Sequence, residues 1–205
     1  MLEVLMRPID LFRRTAFLLL ILGMAVPVLA GEPTDQVKQT TDKILSVVSD
    51  PTLKPSSKAE ERRRRIRSAV DERFDWEEMA RRSLARHWAQ RTDEEKKEFT
   101  RLFGGLLEQT YMDKVEGYSG EKVQYAGETM DGDYVVVKVK IITQKNVDIP
   151  VEYRLKKKGS NWLVYDLSIE GVSLINNYRT QFNSIISGSS YEDLVKRLKA
   201  KATQK

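Results

Sequence analysis

The feature that most narrows the fold of this chain is a change of period inside one short stretch, residues 162–182, WLVYDLSIEGVSLINNYRTQF. Leu163, Tyr165, Leu167 and Ile169 alternate with Val164, Asp166 and Ser168, the two-residue repeat of a half-buried strand. The alternation stops at Glu170-Gly171, which reads as a turn. Ser173 follows where a helix N-cap belongs, and Leu174, Tyr178, Phe182 and the pair Ile185 and Ile186 recur at helical spacing. A strand, a turn and an aromatic-rich helix therefore follow one another directly.

Upstream, helices come first. Residues 34–50 carry Val37, Ile44, Leu45 and Val48 on one face and stop before Pro51. Ser56 or Ser57 caps a second helix with Ala59, Ile66 and Val70 inward and Arg62, Arg63, Arg64 and Arg65 mostly outward. Asp75 with Glu78 opens a third helix bearing Met79, Leu84 and Trp88. Thr92 with Glu95 forms a capping box for a fourth, apolar at Phe99, Leu102, Phe103, Leu106, Leu107, Tyr111 and Val115, ending near Gly117.

Strands follow at 122–130, 134–143 and 147–157. Asp131-Gly132-Asp133 is a hairpin turn, and Val135, Val137, Val139 and Ile141 share a buried face. Ile149, Val151, Tyr153 and Leu155 do the same on the next strand, with Pro150 facing away at an edge or bulge. A three-residue loop at 159–161 sets Leu155 opposite Tyr165, Tyr153 opposite Leu167 and Val151 opposite Ile169. It also puts Arg154 across from Asp166, an opposite-charge pair. A slip by one residue sets Tyr153 beside Asp166 and mixes the faces. With a last helix over 191–201, the order predicts an α+β domain: helices packed over a curved antiparallel sheet of four strands.

Residues 1–30 read as a cleaved export signal, leaving residues 31–205 as one domain. Arg7, Arg13 and Arg14 precede an apolar run over 16–26, and Val28-Leu29-Ala30 offers small residues for cleavage before Gly31. The apolar run is shorter than the ~20 residues a spanning helix needs. No cysteine is present, which removes disulfides, thiol catalysis, cysteine-based zinc sites and a lipid anchor on cysteine.

Catalytic material is scarce. His87 is the single histidine and lies between Arg86 and Trp88 in a helical segment. No G-x-S-x-G elbow, P-loop or G-x-G-x-x-G run occurs. Asp166 and Glu170 lie about 13 Å apart along an extended strand, too far to share a proton. No His/Asp/Glu cluster has metal-ligand spacing, so no metal and no cofactor are expected. Thirty-five Lys and Arg against thirty Asp and Glu make the chain moderately basic but mixed, and no aromatic-basic pattern of a nucleic-acid module appears.

Val164-Tyr165-Asp166, Ile169-Glu170-Gly171-Val172-Ser173-Leu174, Asn177-Tyr178-Arg179 and Gln181-Phe182 closely resemble the C-terminal signature of the MlaC (toluene-tolerance auxiliary) family of periplasmic phospholipid-binding proteins. Phe74-Asp75 with Met79-Ala80 and Trp88 matches that family's F-D-x-x-x-M-A and tryptophan pattern. Ala85 departs from it, standing where L-G-x-x-W has glycine. Phe99, Leu106-Leu107, Thr110-Tyr111, Tyr118-Ser119-Gly120, Ile149-Pro150-Val151 and Tyr153-Arg154 extend the likeness over essentially 37–198.

The resemblance implies a fold like that of nuclear transport factor 2, with an internal apolar cavity between helices and sheet, and a non-enzymatic role as a monomeric lipid carrier in the periplasm. Periodicity by itself describes a filled core; only the resemblance implies a hollow one. The side chains that would line it are Phe103, Leu107, Tyr111 and Val115 on the fourth helix and Val137, Val139, Val151, Tyr153, Leu167 and Ile169 on the sheet. Tyr178 and Phe182 would close one end. Lys114, Lys122 and Arg179 are candidate neighbours of a phosphate head that stays in water. The implied partners are phospholipid, an inner-membrane ABC-type transporter with an MCE-domain ring, and an outer-membrane lipoprotein–porin complex; nucleic acid is not among them. A carrier of another lipid such as a hopanoid, and a periplasmic enzyme on an apolar substrate, are the alternatives. The arginines at 62–65, with Arg67, are either a docking patch for acidic partner proteins or anionic lipid heads, or a solvated helix face.

Overall fold

The computed structural model describes residues 31–203, so the export signal expected over 1–30 lies outside the described residues. Helix α1 (Glu32–Ser49) starts at Gly31, and the Glu128 carboxylate from the sheet accepts from the Thr34 backbone N–H at 3.1 Å and from its hydroxyl at 2.5 Å. Two 3-10 turns, Pro51–Leu53 and Ser56–Lys58, lead into α2 (Ala59–Asp71). Ser56 and Ser57 thus sit in a turn of their own, and among the described residues no side chain caps α2.

Helix α3 (Trp76–Leu84) begins at Asp75, whose carboxylate accepts from the Glu78 N–H at 3.2 Å. It does not reach Trp88. Ala85 takes φ 49° and ψ −121°, outside the helical region, and Ala85–Gln90 continues as a 3-10 helix. The missing glycine of the L-G-x-x-W pattern therefore strains the backbone, because a Cβ disfavours positive φ. Helix α4 (Asp93–Glu116) has both bonds of the expected capping box, Glu95 N–H to the Thr92 hydroxyl at 3.2 Å and Thr92 N–H to the Glu95 carboxylate at 2.8 Å.

The sheet is antiparallel in sequence order: β1 (Lys122–Asp131), β2 (Tyr134–Ile142), β3 (Asp148–Lys158), β4 (Asn161–Ile169) and β5 (Val172–Ser173). It has five strands, one more than the sequence predicts. Glu170 and Gly171 both have positive φ, 51° and 82°, which turns the chain tightly enough to pair Val172 with Ile169 and Ser173 with Ser168. Ser173 then caps α5 (Leu174–Gly188), accepting from the Asn176 N–H at 3.0 Å, and α6 (Tyr191–Thr203) follows.

The last hairpin keeps its expected register at the open end, with Val151 opposite Ile169, Tyr153 opposite Leu167 and Arg154 opposite Asp166. Near the turn it differs. Lys158 pairs with Asn161 across a two-residue turn, and the surplus residue, Tyr165, bulges out so that Leu155 faces Val164. The bulge changes which side chains are buried: Trp162 and Val164 join Leu167 and Ile169 on the inner face, while Leu163 and Tyr165 move to the outer one. Asp166 is not paired with Arg154. Its oxygens accept from the Ser173 hydroxyl at 2.7 Å and the Ile175 N–H at 3.1 Å, whereas Arg154 lies 3.8 Å from Glu152.

Three apolar clusters hold these elements. Helices α3 to α6 share one, including Met79, Phe99, Phe103, Phe182 and Leu194. The inner sheet face packs Val135, Val137, Val139, Leu155 and Trp162 with Val37 of α1. A smaller one joins Val48, Ile66 and Met112 from α1, α2 and α4. The arginine run of α2 fastens that last corner. Arg62 bonds Glu116 at 2.7 Å and the Leu53 carbonyl at 2.6 Å, Arg63 reaches Asp113 and Glu116, and Arg67 pairs with Glu108. Arg65 turns back to Glu61. Among the described residues, no helix is long and apolar enough to cross a membrane.

Candidate functional site

The three clusters do not meet completely. Between them lies a cleft of about 990 Å³, at the upper end of the roughly 300–1,000 Å³ usual for small-molecule sites. Its floor is the inner sheet face at Ile141, Val151, Tyr153, Leu167 and Ile169. Its walls are Val37, Thr40, Thr41 and Ile44 of α1, Ile66 and Val70 of α2, and Leu102, Leu107, Tyr111, Met112 and Val115 of α4. Toward solvent the lining becomes charged, with Asp71, Glu77, Lys97, Arg101 and Glu108. Gly104 and Gly105 leave a stretch of the α4 wall without side chains, and a Cβ at Gly105 would meet no atom within 4 Å.

Of the residues expected to line a cavity, Leu107, Tyr111, Val115, Val151, Tyr153, Leu167 and Ile169 do border this cleft. Phe103, Tyr178 and Phe182 do not. They belong to the helical cluster, where Phe103 meets Tyr178 and Phe182 edge-on at 5.3 and 5.6 Å between ring centres. Val137 and Val139 do not border it either: they sit across from Tyr153 and Val151 on the same sheet face but are buried in the sheet cluster. Lys114 is exposed, its ammonium 5.5 Å from the Tyr111 ring, and Lys122 is exposed at the start of β1. Arg179 borders a separate depression with Leu84, Arg86 and Asn183, and bonds Asn176.

The contributions of α1 and α2 escape sequence reasoning about the site. Val37, Ile44, Ile66 and Val70 are visible as inward stripes, but periodicity does not say whether a stripe faces atoms or space. Arg73 has no sequence signal at all, since it stands in a charged segment and reads as a surface residue. In the structure it is 7% exposed and borders the cleft. Burial lowers its proton affinity.

Thr40 is buried there too, and Tyr153 is a half-buried neighbour whose hydroxyl burial pushes up to about 12. Its ring keeps accessible surface because it borders the cleft. His87 lies away from these residues, with a ring nitrogen 3.0 Å from the Asn183 side-chain oxygen. Among the described residues, no group of histidines and carboxylates could hold a metal ion. The arrangement can exclude water from an apolar body and present polar groups to one end of it.

Comparison with known proteins agrees with this geometry. The model of the MlaC protein family matches residues 38–200. The chain belongs to that family. A relative within it, the intermembrane phospholipid transport system binding protein MlaC of Haemophilus influenzae, is 24% identical over 173 residues, covering 82% of this chain and 81% of the relative. Among solved structures, the phospholipid-binding protein from Ralstonia solanacearum, crystallised in complex with a phospholipid, superposes with a TM-score of 0.74 and 25% identity. That match covers 85% of this chain and 98% of the other.

Proposed function

We propose that the protein is a non-enzymatic periplasmic carrier that takes phospholipid between two membranes with its acyl chains in the cleft. The observation that carries this reading is the cleft itself, apolar at its floor and lying in a fold whose solved relative binds a phospholipid. A two-tailed lipid has on the order of 30 methylenes, each worth about 0.8 kcal/mol on transfer from water. A carrier must shelter most of them or the lipid stays in its bilayer. Side chains such as Val151, Leu167 and Ile169 supply that shelter without unpaired polar atoms.

The export signal over 1–30 delivers the chain to the periplasm, where it works as a monomer. Its docking partners are an inner-membrane ABC transporter with an MCE-domain ring and an outer-membrane lipoprotein–porin complex, each bound weakly enough to release. Lys114, beside the lining residues Tyr111 and Val115, is one expected head-group neighbour. Native mass spectrometry of the exported protein, followed by solvent extraction, tests the reading. One phospholipid with two acyl chains per protein is the expected result. A triterpenoid cargo, or a protein that neither retains nor takes up lipid, overturns it.

A further inference from the structure

We propose that the Arg73 guanidinium is an oxyanion-binding site inside the cleft, holding the phosphodiester of a bound phospholipid or the carboxylate of a fatty acid. The inference rests on the carrier reading and goes beyond it, because a lipid held only by its tails needs no buried cation.

Arg73 is more than nine-tenths buried and borders the cleft. Its Nε donates to the Thr40 hydroxyl at 3.2 Å, and its Nη1 donates to the Gln36 side-chain oxygen at 2.5 Å and the Trp162 carbonyl at 2.9 Å. All three acceptors are neutral. Among the described residues no carboxylate pairs with this guanidinium; the adjacent Glu72 is bonded to Lys43 instead. Nη2 has no acceptor among the described residues. A guanidinium keeps its proton even when buried, so the charge persists in a place where proteins ordinarily provide a counter-ion.

The three protein bonds also fix the orientation of the group. They hold Nε and Nη1 against α1 and β4, which leaves the Nη2 edge of a planar fork for whatever enters the cleft. That edge suits an oxygen of a phosphate or carboxylate, where a charge-assisted bond is about twice as strong as a neutral one. A purely structural Arg73 would use the same three bonds to tie α1 to β4, and would have no preference among ligands.

The two roles separate in a displacement assay on delipidated protein, wild type against R73Q and R73K, using dioleoylphosphatidylglycerol, oleate and neutral dioleoylglycerol. R73Q is expected to weaken one or both anionic ligands about tenfold or more while dioleoylglycerol stays within about twofold. Loss for the phospholipid alone assigns the phosphodiester, and loss for oleate alone assigns the carboxylate. R73K, which keeps the charge without the fork, should fall between wild type and R73Q, and it carries the test if R73Q does not fold. Equal loss for all three ligands, or for none, overturns the proposal. Wild-type protein that binds oleate but no phospholipid would instead overturn the carrier reading and leave the oxyanion site standing.

Discussion

Helix α4 borders two regions that look alike in sequence and differ in space. On one side Phe99, Phe103 and Leu106 enter a cluster with α3, α5 and α6 in which aromatic rings fill the volume. On the other, Leu107, Tyr111 and Val115 border a cleft of about 990 Å³. What separates them is what each side faces. Phe182, Tyr178 and Tyr191 reach the first with rings 5.3 to 6.3 Å from those of α4, whereas the second faces Val37, Ile44, Ile66 and Val70 with Tyr153 and Leu167 of the sheet, and Gly105 adds no side chain to fill it. The same helix can therefore stabilise the fold with one stripe and hold a ligand with the next.

The sharpest way to break this contrast is to bury a charge on each side of it. Val139 is packed in the sheet cluster, so Val139→Asp should destabilise the protein by about 4 kcal/mol or more and leave no folded species to assay. Leu167 borders the cleft, where water can reach a carboxylate. Leu167→Asp should keep a cooperative thermal transition and lose retained lipid. A folded Val139→Asp or an unfolded Leu167→Asp would exchange the two assignments.

Truncation gives the next largest difference. Phe103→Ala removes a ring packed against three others and should cost about 3–5 kcal/mol in urea unfolding. Leu167→Ala enlarges a space that already exists, so about 1–2 kcal/mol is expected in the lipid-free protein. Equal costs would mean that the cleft closes when empty. Within the solid region, Asp166→Asn keeps the shape but loses one of two acceptors serving the start of α5, and should cost about 2 kcal/mol.

How far the sequence could anticipate this contrast depends on the element. Capping at Thr92 and the cross-strand pairs Tyr153–Leu167 and Val151–Ile169 are local matters of chemistry and parity, and the structure has them as read. The stripe Phe103, Leu107, Tyr111, Val115 was not local enough. Steps of four residues overrun a turn of 3.6, so over twelve residues the stripe rotates about 120° around the helix. Phe103 and Val115 thus face different neighbours. The bulge at Tyr165 arises because a two-residue turn replaced a three-residue loop, and alternation alone cannot choose between the two. Arg73 was illegible because its burial comes from α1 and β4, both far away in the chain.

Two smaller effects sharpen the picture of the solid region, one on α3 and one just past its end. Glu78 accepts from Arg81 and Arg82, and chiefly the Arg81 bonds hold its carboxyl at about 2 rather than its ordinary 4.5. A depressed folded value means that the contribution is present above about pH 4.5 and is lost as pH falls toward 2. Glu78→Gln should therefore flatten the acid limb of a stability–pH curve by about 1 kcal/mol or less, and leave stability near pH 2 unchanged. An equally steep limb in the variant would assign the acid sensitivity to other carboxylates.

Ala85 has the opposite sign. Its φ of 49° ends α3 and starts the 3-10 segment that carries His87 and Trp88, and a Cβ makes that conformation costly by roughly 1–2 kcal/mol. Glycine releases this strain but adds freedom to the unfolded chain, worth up to about 1 kcal/mol in the other direction. The difference leaves Ala85→Gly stabilising by about 0.5–1 kcal/mol, with a rise of a few degrees in Tm and lipid retention unchanged. Ala85→Val at the same position should be destabilising, since a β-branched side chain tolerates positive φ less well than alanine. If both substitutions lowered stability, the turn at Ala85 would not be held in the left-handed half of backbone space, and α3 would run on toward Trp88 as its apolar spacing alone suggests.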